Sequence, residues 1–119
     1  MKVIIAGSRT VKDGNLVAEA IKESKFKIST VLCGGARGAD MLGKSWAEGK
    51  NIPVDDYPAN WTKYGNAAGI LRNIVMANNA EALIAIWDGK SSGTRHMIDE
   101  AKKRNLKVYV KMIEETKKD

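Results

Sequence analysis

The sequence contains few of the residues that form disulfides and metal sites. Its 119 residues include one cysteine and one histidine. A single cysteine excludes an intramolecular disulfide, and the position of Cys33 at the end of an apolar run predicts a buried thiol rather than a nucleophile. A single histidine, His96, excludes a histidine-pair metal site, and no C-x-x-C motif is present. We therefore predict no metal site and expect His96 to be structural or exposed.

Long hydrophobic runs are also missing. No apolar stretch approaches the roughly 20 residues of a membrane-spanning helix. The N-terminal "MKVIIAGSRT" is typical of a strand and a turn rather than of a signal peptide. We therefore expect a cytoplasmic protein with no membrane partner. A composition of 44% hydrophobic and 29% charged residues fits one globular domain, which we place at 1–112, with 113–119 as a charged tail.

Two common nucleotide-binding signatures are absent. The stretch "GGARGAD" (34–40) departs from the dinucleotide fingerprint G-x-G-x-x-G, and the chain has no Walker lysine motif. Neither an ordinary NAD-binding fold nor a P-loop NTPase is therefore indicated.

Five short apolar or β-branched runs predict strands, at 2–6, 29–33, 53–58, 82–87 and 106–112. Segments with helical periodicity lie between the runs. Their predicted core stripes are Leu16, Val17, Ala20 and Ile21; Met41, Leu42, Trp46 and Ala47; Ile70, Leu71, Ile74 and Val75; and Met97, Ile98 and Ala101. Strands alternating with helices predict an α/β fold, a doubly wound, Rossmann-like single domain with a parallel sheet of about five strands.

The composition of the runs predicts the strand order. Runs 2–6 and 82–87 are almost continuously apolar, which is typical of central strands buried on both faces. Run 53–58 is polar and has the only two prolines at its ends, Pro53 and Pro58, which favours a sheet edge. We predict the order 3-2-1-4-5, with a topological switch point between the first and fourth strands.

Three loops rich in Gly, Ser or Thr follow the first, second and fourth runs: "GSRT" (7–10), "CGGARGAD" (33–40) and "DGKSSGT" (88–94). At one end of a parallel sheet, such loops point backbone N–H groups and helix N-termini at one crevice, an arrangement that binds phosphate. Tight turns are the alternative role of the glycines; we favour an anionic or nucleotide ligand. The candidate ligand-binding residues are Gly7, Ser8, Arg9, Gly34, Gly35, Ala36, Gly38, Asp88, Ser92, Gly93 and Thr94.

Five further candidates lie outside or at the end of these loops. Asp40 either caps the second helix or accepts a hydrogen bond from a ribose hydroxyl. Trp61, in the long connection 57–73, either stacks on a base or packs against the sheet. Gly69 opens the next helix, and Arg72 and Asn73 lie off its apolar stripe, where they can face the crevice. Arg72 is the best single candidate for an anion contact.

The net charge of +6 and the isoelectric point of about 9.5 favour an anionic partner. Many of the lysines are interleaved with Glu and Asp in helix-like segments, which is typical of a solvated surface. We therefore favour a nucleotide-like small molecule over nucleic acid. The sequence identifies no cofactor.

The motifs "IIAGSRT", "LCGGARGAD", "YPANWTKYGNAAGILRNIVM", "ALIAIWDGKSSGT" and "MIDEA", taken together, resemble the YspA/YpsA-related family of the SLOG superfamily, over about residues 3–110. The resemblance implies a Rossmann-like fold that binds a nucleoside phosphate, ADP-ribose or an NAD-like ligand. It implies a pocket formed by "GSR", "GGARGAD", "AG..RN" and "S.GT". Because SLOG relatives often form dimers, the resemblance also predicts a homo-oligomer.

A related SLOG branch, the Lonely Guy phosphoribohydrolases, cleaves the N-glycosidic bond of a nucleoside monophosphate. That branch uses an arginine four residues before a methionine, which Arg72 and Met76 reproduce, and a glutamate after a Gly-Thr pair, where this sequence has Arg95 and His96. We therefore favour a sensor or sequestering module. The alternatives are a nucleotide N-glycosidase with Arg72 and Asp40 as catalytic residues, and single-stranded nucleic-acid binding, since DprA carries a domain of the same superfamily.

Overall fold

The fold is a five-stranded parallel sheet covered by helices on both faces. The computed structural model describes residues 1–35 and 37–114. The strands are β1 (Lys2–Gly7), β2 (Thr30–Cys33), β3 (Val54–Asp56), β4 (Ala82–Trp87) and β5 (Lys107–Met112). All four strand pairs are parallel, and the order β3-β2-β1-β4-β5 confirms the prediction. The polar strand with flanking prolines is indeed at an edge.

The helices are α1 (Gly14–Ser24), α2 (Ala39–Gly49), α3 (Trp61–Tyr64), α4 (Ala68–Asn79) and α5 (Ser92–Lys103). A 3₁₀ turn, Gly65–Ala67, joins α3 to α4, so the long connection after β3 is largely helical. Asn60 begins α3 by accepting a hydrogen bond from the Lys63 N–H at 3.0 Å. Within the described ranges, no helix has the length and apolar character needed to cross a bilayer.

The core has two layers because β1 and β4 send alternate side chains to opposite faces. Val3 and Ile5 pack with α1 and α2, whereas Ile4 and Ala6 pack with α4 and α5. Val3, Ile4 and Ile5 are all fully buried. β1 is therefore the centre of the molecule, and its carboxyl end is held from both sides. At the other end of the chain, Ile113 packs against this core.

The predicted core face of α4 is wrong. Ile70, Leu71 and Val75 are 49%, 39% and 46% exposed. The buried residues of α4 are instead Ala68, Asn73, Met76 and Ala77. The inward face of α4 packs against α5 through Met76 and Ala77, and the Asn73 amide bonds to α5. The homo-oligomer stays a prediction.

The predicted core stripe of α2 is wrong at one position, Met41, which is 46% exposed. Gly43 faces the sheet instead, and a side chain there would collide with Ile5. The close approach of α2 to β1 therefore depends on glycine rather than on a larger apolar residue.

Candidate functional site

A small crevice lies at the carboxyl ends of β1 and β4, at the topological switch point. Its volume is about 80 Å³. The described residues that line it are Ala6, Gly7, Arg9, Asp40, Arg72, Asn73, Met76, Ser91, Gly93, Thr94 and Met97. Seven of the predicted site residues are therefore brought together here: Gly7, Arg9, Asp40, Arg72, Asn73, Gly93 and Thr94.

Ser8 joins the elements around the crevice. Its N–H donates to the Ile86 carbonyl at 2.9 Å, and its hydroxyl oxygen accepts from the Asp88 N–H at 3.1 Å. Its carbonyl accepts from the Ala39 N–H at 3.4 Å. Ser8 is only 1% exposed. The structure therefore places this predicted ligand-binding residue beneath the crevice, where it connects β1, β4 and α2.

The loop after β4 is shaped by Asp88 and Ser91. The Asp88 carboxylate accepts from the Ser91 N–H at 2.9 Å and from the Lys90 N–H at 2.8 Å, and these bonds hold its pKa below the usual value. The Ser91 hydroxyl accepts from the Thr94 N–H at 3.4 Å and begins α5. Ser91 lines the crevice, whereas the predicted Ser92 is exposed. Ser91 could have been predicted from the sequence, because a serine three residues before Thr94 at the start of a helix is a typical N-cap residue.

Arg72 is held against the backbone of the glycine-rich loop. Its Nη1 donates to the Gly34 carbonyl at 2.7 Å, and its Nε donates to Asn73 Oδ1 at 3.0 Å. A Cβ on Gly34 would collide with this guanidinium. Burial lowers the pKa of Arg72; the Asp40 carboxylate raises that pKa, and the Arg9 charge lowers it. Two cations and one carboxylate thus meet at the crevice.

Asn73 connects Arg72 to a network that sequence reasoning missed. Its amide Nδ2 donates to the Gly93 carbonyl at 3.2 Å and lies 3.1 Å from His96 Nδ1. Because the amide is a donor, His96 Nδ1 accepts and the ring proton is on Nε2, 3.4 Å from Glu100 Oε1. Glu100 also bonds to Arg104. Glu100 is thus held by side chains outside the crevice lining.

Asp40 does not cap α2. The N-cap position is Gly38, and Asp40 lies in the first helical turn, 5% exposed and at the crevice wall. Glycine is required at this N-cap position because its φ is 79° and because a Cβ there would lie 2.7 Å from Arg9 Cα and against the Ser8 carbonyl. The prediction of a bond from Asp40 to a ribose hydroxyl stays a prediction.

The other predicted residues lie outside the crevice lining. Trp61 is 53% exposed and packs on α4 rather than on the sheet, since a Cβ on Gly69 would lie 3.4 Å from its Cη2. Gly69 is the second residue of α4 rather than its first. Gly35 is exposed. Ala36 lies outside the described residues.

We predict that Cys33 is unreactive in the folded protein. The residue is fully buried, and its thiol donates to Asp56 Oδ1 at 3.2 Å. Burial, together with Asp56, raises its pKa to about 12, and the thiolate is the reactive form. At pH 8, iodoacetamide should therefore label native protein slowly and urea-unfolded protein rapidly, as measured by intact mass. Rapid labelling in native buffer would contradict this environment.

A parallel doubly wound sheet with a polar crevice at its switch point defines a Rossmann-like α/β domain. The chain belongs to the YspA, cpYpsA-related SLOG family, whose profile matches residues 1–64. It is 38% identical over 116 residues to the Gene 61 protein of Mycobacterium phage D29, covering 90% of this chain and 93% of that protein.

Among solved structures, DNA processing protein A (DprA) from Streptococcus pneumoniae is similar, with a TM-score of 0.73 and 16% identity. The similarity covers 92% of this chain, which spans 49% of that DprA chain. At this identity, the comparison establishes the fold.

Proposed function

We propose that the protein binds a nucleotide or nucleotide-derived ligand, with one phosphate in the crevice between Arg9 and Arg72. The observation that carries the proposal is the position of Arg72. Its partly desolvated guanidinium is oriented by Gly34 and Asn73 and lines the same small cavity as a second arginine. Charge-assisted bonds to a phosphate would offset the cost of burying this cation.

The size of the crevice supports one phosphate, rather than a whole nucleotide, as its occupant. A cavity needs about 10–15 Å³ to hold one water molecule, so a cavity of about 80 Å³ holds a group of several heavy atoms. Pockets that enclose a whole small molecule measure roughly 300–1,000 Å³. We therefore propose that the nucleoside lies outside the crevice.

An apolar groove next to the crevice supports a place for the nucleoside. Arg72 also lines this groove, whose volume is about 420 Å³. The groove includes Pro58, Tyr64, Leu71 and Val75, and the last three side chains are more than one-third exposed. A base and its sugar would cover this apolar surface while the attached phosphate contacts Arg72.

The second candidate function is cleavage of the nucleotide N-glycosidic bond by water. One observation favours it: the Asp40 carboxylate and Met76 line the same crevice as Arg72. A carboxylate stabilises the oxocarbenium character that develops at the anomeric carbon. Because Asp40 lines the crevice and Glu100 is not among its described lining residues, Asp40 is the candidate for that role. We rank binding first.

A ligand screen by thermal shift tests both functions. The purified protein is mixed with AMP, ADP, ATP, NAD, ADP-ribose or a single-stranded oligonucleotide, and each mixture is then analysed for cleavage products. We expect saturable stabilisation of about 2.7 kcal/mol at a ligand concentration 100 times Kd. Intact ligand supports a binding module. Free base with ribose phosphate, lost in Asp40→Asn, supports the hydrolase, and no shift with any nucleotide contradicts the proposal.

A further inference from the structure

Arg9 lines a second concave surface beside the crevice. This surface, which we call the basic shelf, has a volume of about 530 Å³ and is lined by Arg9, Thr10, Lys12, Gly35 and Arg37. All five residues are exposed. Three of them carry a positive charge, and none of the described lining residues is acidic. The described lining of the basic shelf therefore carries three positive charges and no negative charge, next to the crevice that Arg9 also lines.

Some exposed cations of the described residues form ion pairs with carboxylates. Lys44 pairs with Asp56 at 3.2 Å, and Lys111 pairs with Glu23 at 3.0 Å. Among residues 1–35 and 37–114, no ion pair involves Arg9, Lys12 or Arg37.

The acidic residue next to Lys12 in the sequence, Asp13, does not neutralise the shelf by bonding to these cations. Its carboxylate accepts from the Asn15 N–H at 2.9 Å and begins α1. The wall of the shelf at Gly35 is also open, because a Cβ built there would meet no described atom within 4 Å. The three cations of the shelf and the backbone of Gly35 are therefore accessible to an anion.

We propose that the basic shelf binds the outer phosphate groups of a ligand whose first phosphate lies in the crevice. The inference rests on the proposed function and narrows it to a nucleotide with two or more linked phosphates, such as a nucleoside diphosphate, a triphosphate or a pyrophosphate-linked compound. The crevice holds one phosphate, and Arg9 contacts both spaces. A phosphate chain that leaves the crevice on the Arg9 side enters the shelf, whereas the nucleoside leaves on the Arg72 side.

Isothermal titration of AMP and ADP tests the shelf directly. The titrations are run in EDTA, so that Mg²⁺ does not mask phosphate charge, on the native protein and on the double variant Lys12→Ala/Arg37→Ala. We expect ADP to bind the native protein at least about tenfold more tightly than AMP, as for one added charge-assisted contact. The double variant should lose that advantage while its affinity for AMP stays within about twofold.

The control is Lys22→Ala/Lys107→Ala, which removes two exposed positive charges outside the shelf. It should retain the preference for ADP, because a general effect of net charge would weaken both double variants equally. Thermal denaturation of all three proteins checks that they are folded.

Each outcome decides one part of the proposal. If the native protein binds AMP and ADP with equal affinity, the proposed role of the shelf is wrong and the proposed function is unaffected. The same conclusion follows if the shelf variant loses affinity for AMP and ADP by the same factor. Absence of binding to any nucleotide overturns the proposed function and the shelf together. A deoxyadenosine trinucleotide that binds more tightly than ADP, and loses this affinity in the shelf variant, assigns the shelf to phosphodiesters and overturns the linked-phosphate ligand.

Discussion

Replacing Gly38 with alanine is expected to lower the free energy of unfolding by about 3 kcal/mol. Two causes act together. The φ of 79° is a conformation that residues with a Cβ rarely adopt. The new Cβ would also meet the Ser8 carbonyl and Arg9 Cα, which are backbone atoms that cannot rotate away. Equilibrium unfolding in urea, followed by circular dichroism, measures the change.

The matched control is Gly49→Ala at the opposite end of α2. A Cβ on Gly49 would meet no described atom within 4 Å, and its φ is not positive. Alanine there should therefore be neutral or stabilising by up to about 1 kcal/mol, through the entropy of the unfolded chain. If the Gly38 and Gly49 variants unfolded at the same urea concentration, the tight approach of the first two loops would be disproved.

The sheet could be predicted because its signals are local and strong. Almost continuous apolar runs identified β1 and β4 as central strands, and Pro53 and Pro58 identified the edge strand. Strand order then determined which loops converge. The position of the crevice therefore followed from the sequence without any knowledge of side-chain contacts.

The orientation of α4 could not be predicted from hydrophobic periodicity. The helix has apolar residues on two faces, and its branched residues Ile70 and Leu71 are on the outer face. Periodicity measures where apolar area is concentrated, but the face of α4 that packs on α5 combines Met76 and Ala77 with the Asn73 amide. The contact from Asn73 to His96 joins residues 23 positions apart, which no local pattern reports.

The glycines of the second loop were predicted to admit a ligand, yet two of them admit parts of the protein. Gly34 lies against the Arg72 guanidinium, and Gly38 lies against the backbone of Ser8 and Arg9. Glycines in a sequence indicate that another group approaches the backbone closely, but they do not indicate whether that group is a ligand or another part of the protein. Phosphate binding is therefore proposed on the arginines that Gly34 and Gly38 help to position.

The largest expected effect on binding comes from Arg72→Ala. We expect the affinity for a nucleotide to fall by about 1.5 to 3 kcal/mol, because a charge-assisted bond to phosphate is lost. Arg72→Lys should restore little of this affinity, since one ammonium cannot bond at once to Gly34, Asn73 and phosphate as the guanidinium fork can. Isothermal titration at 25 °C gives the Kd values, and thermal denaturation confirms that each variant is folded at that temperature.

Gly34→Ala tests whether nucleotide affinity depends on the position of the Arg72 guanidinium and not only on its presence. The added methyl group would displace Nη1, the mobile end of a long side chain, so the free energy of unfolding should fall by less than about 1 kcal/mol. Affinity should nevertheless fall, and adding Gly34→Ala to Arg72→Ala should have no further effect, because both changes act on one group. If the Arg72→Ala variant bound nucleotide with native affinity, the proposed phosphate position in the crevice would be wrong. If Gly34→Ala left the nucleotide affinity unchanged, Arg72 would contact the phosphate from a position other than the one it has beside Gly34.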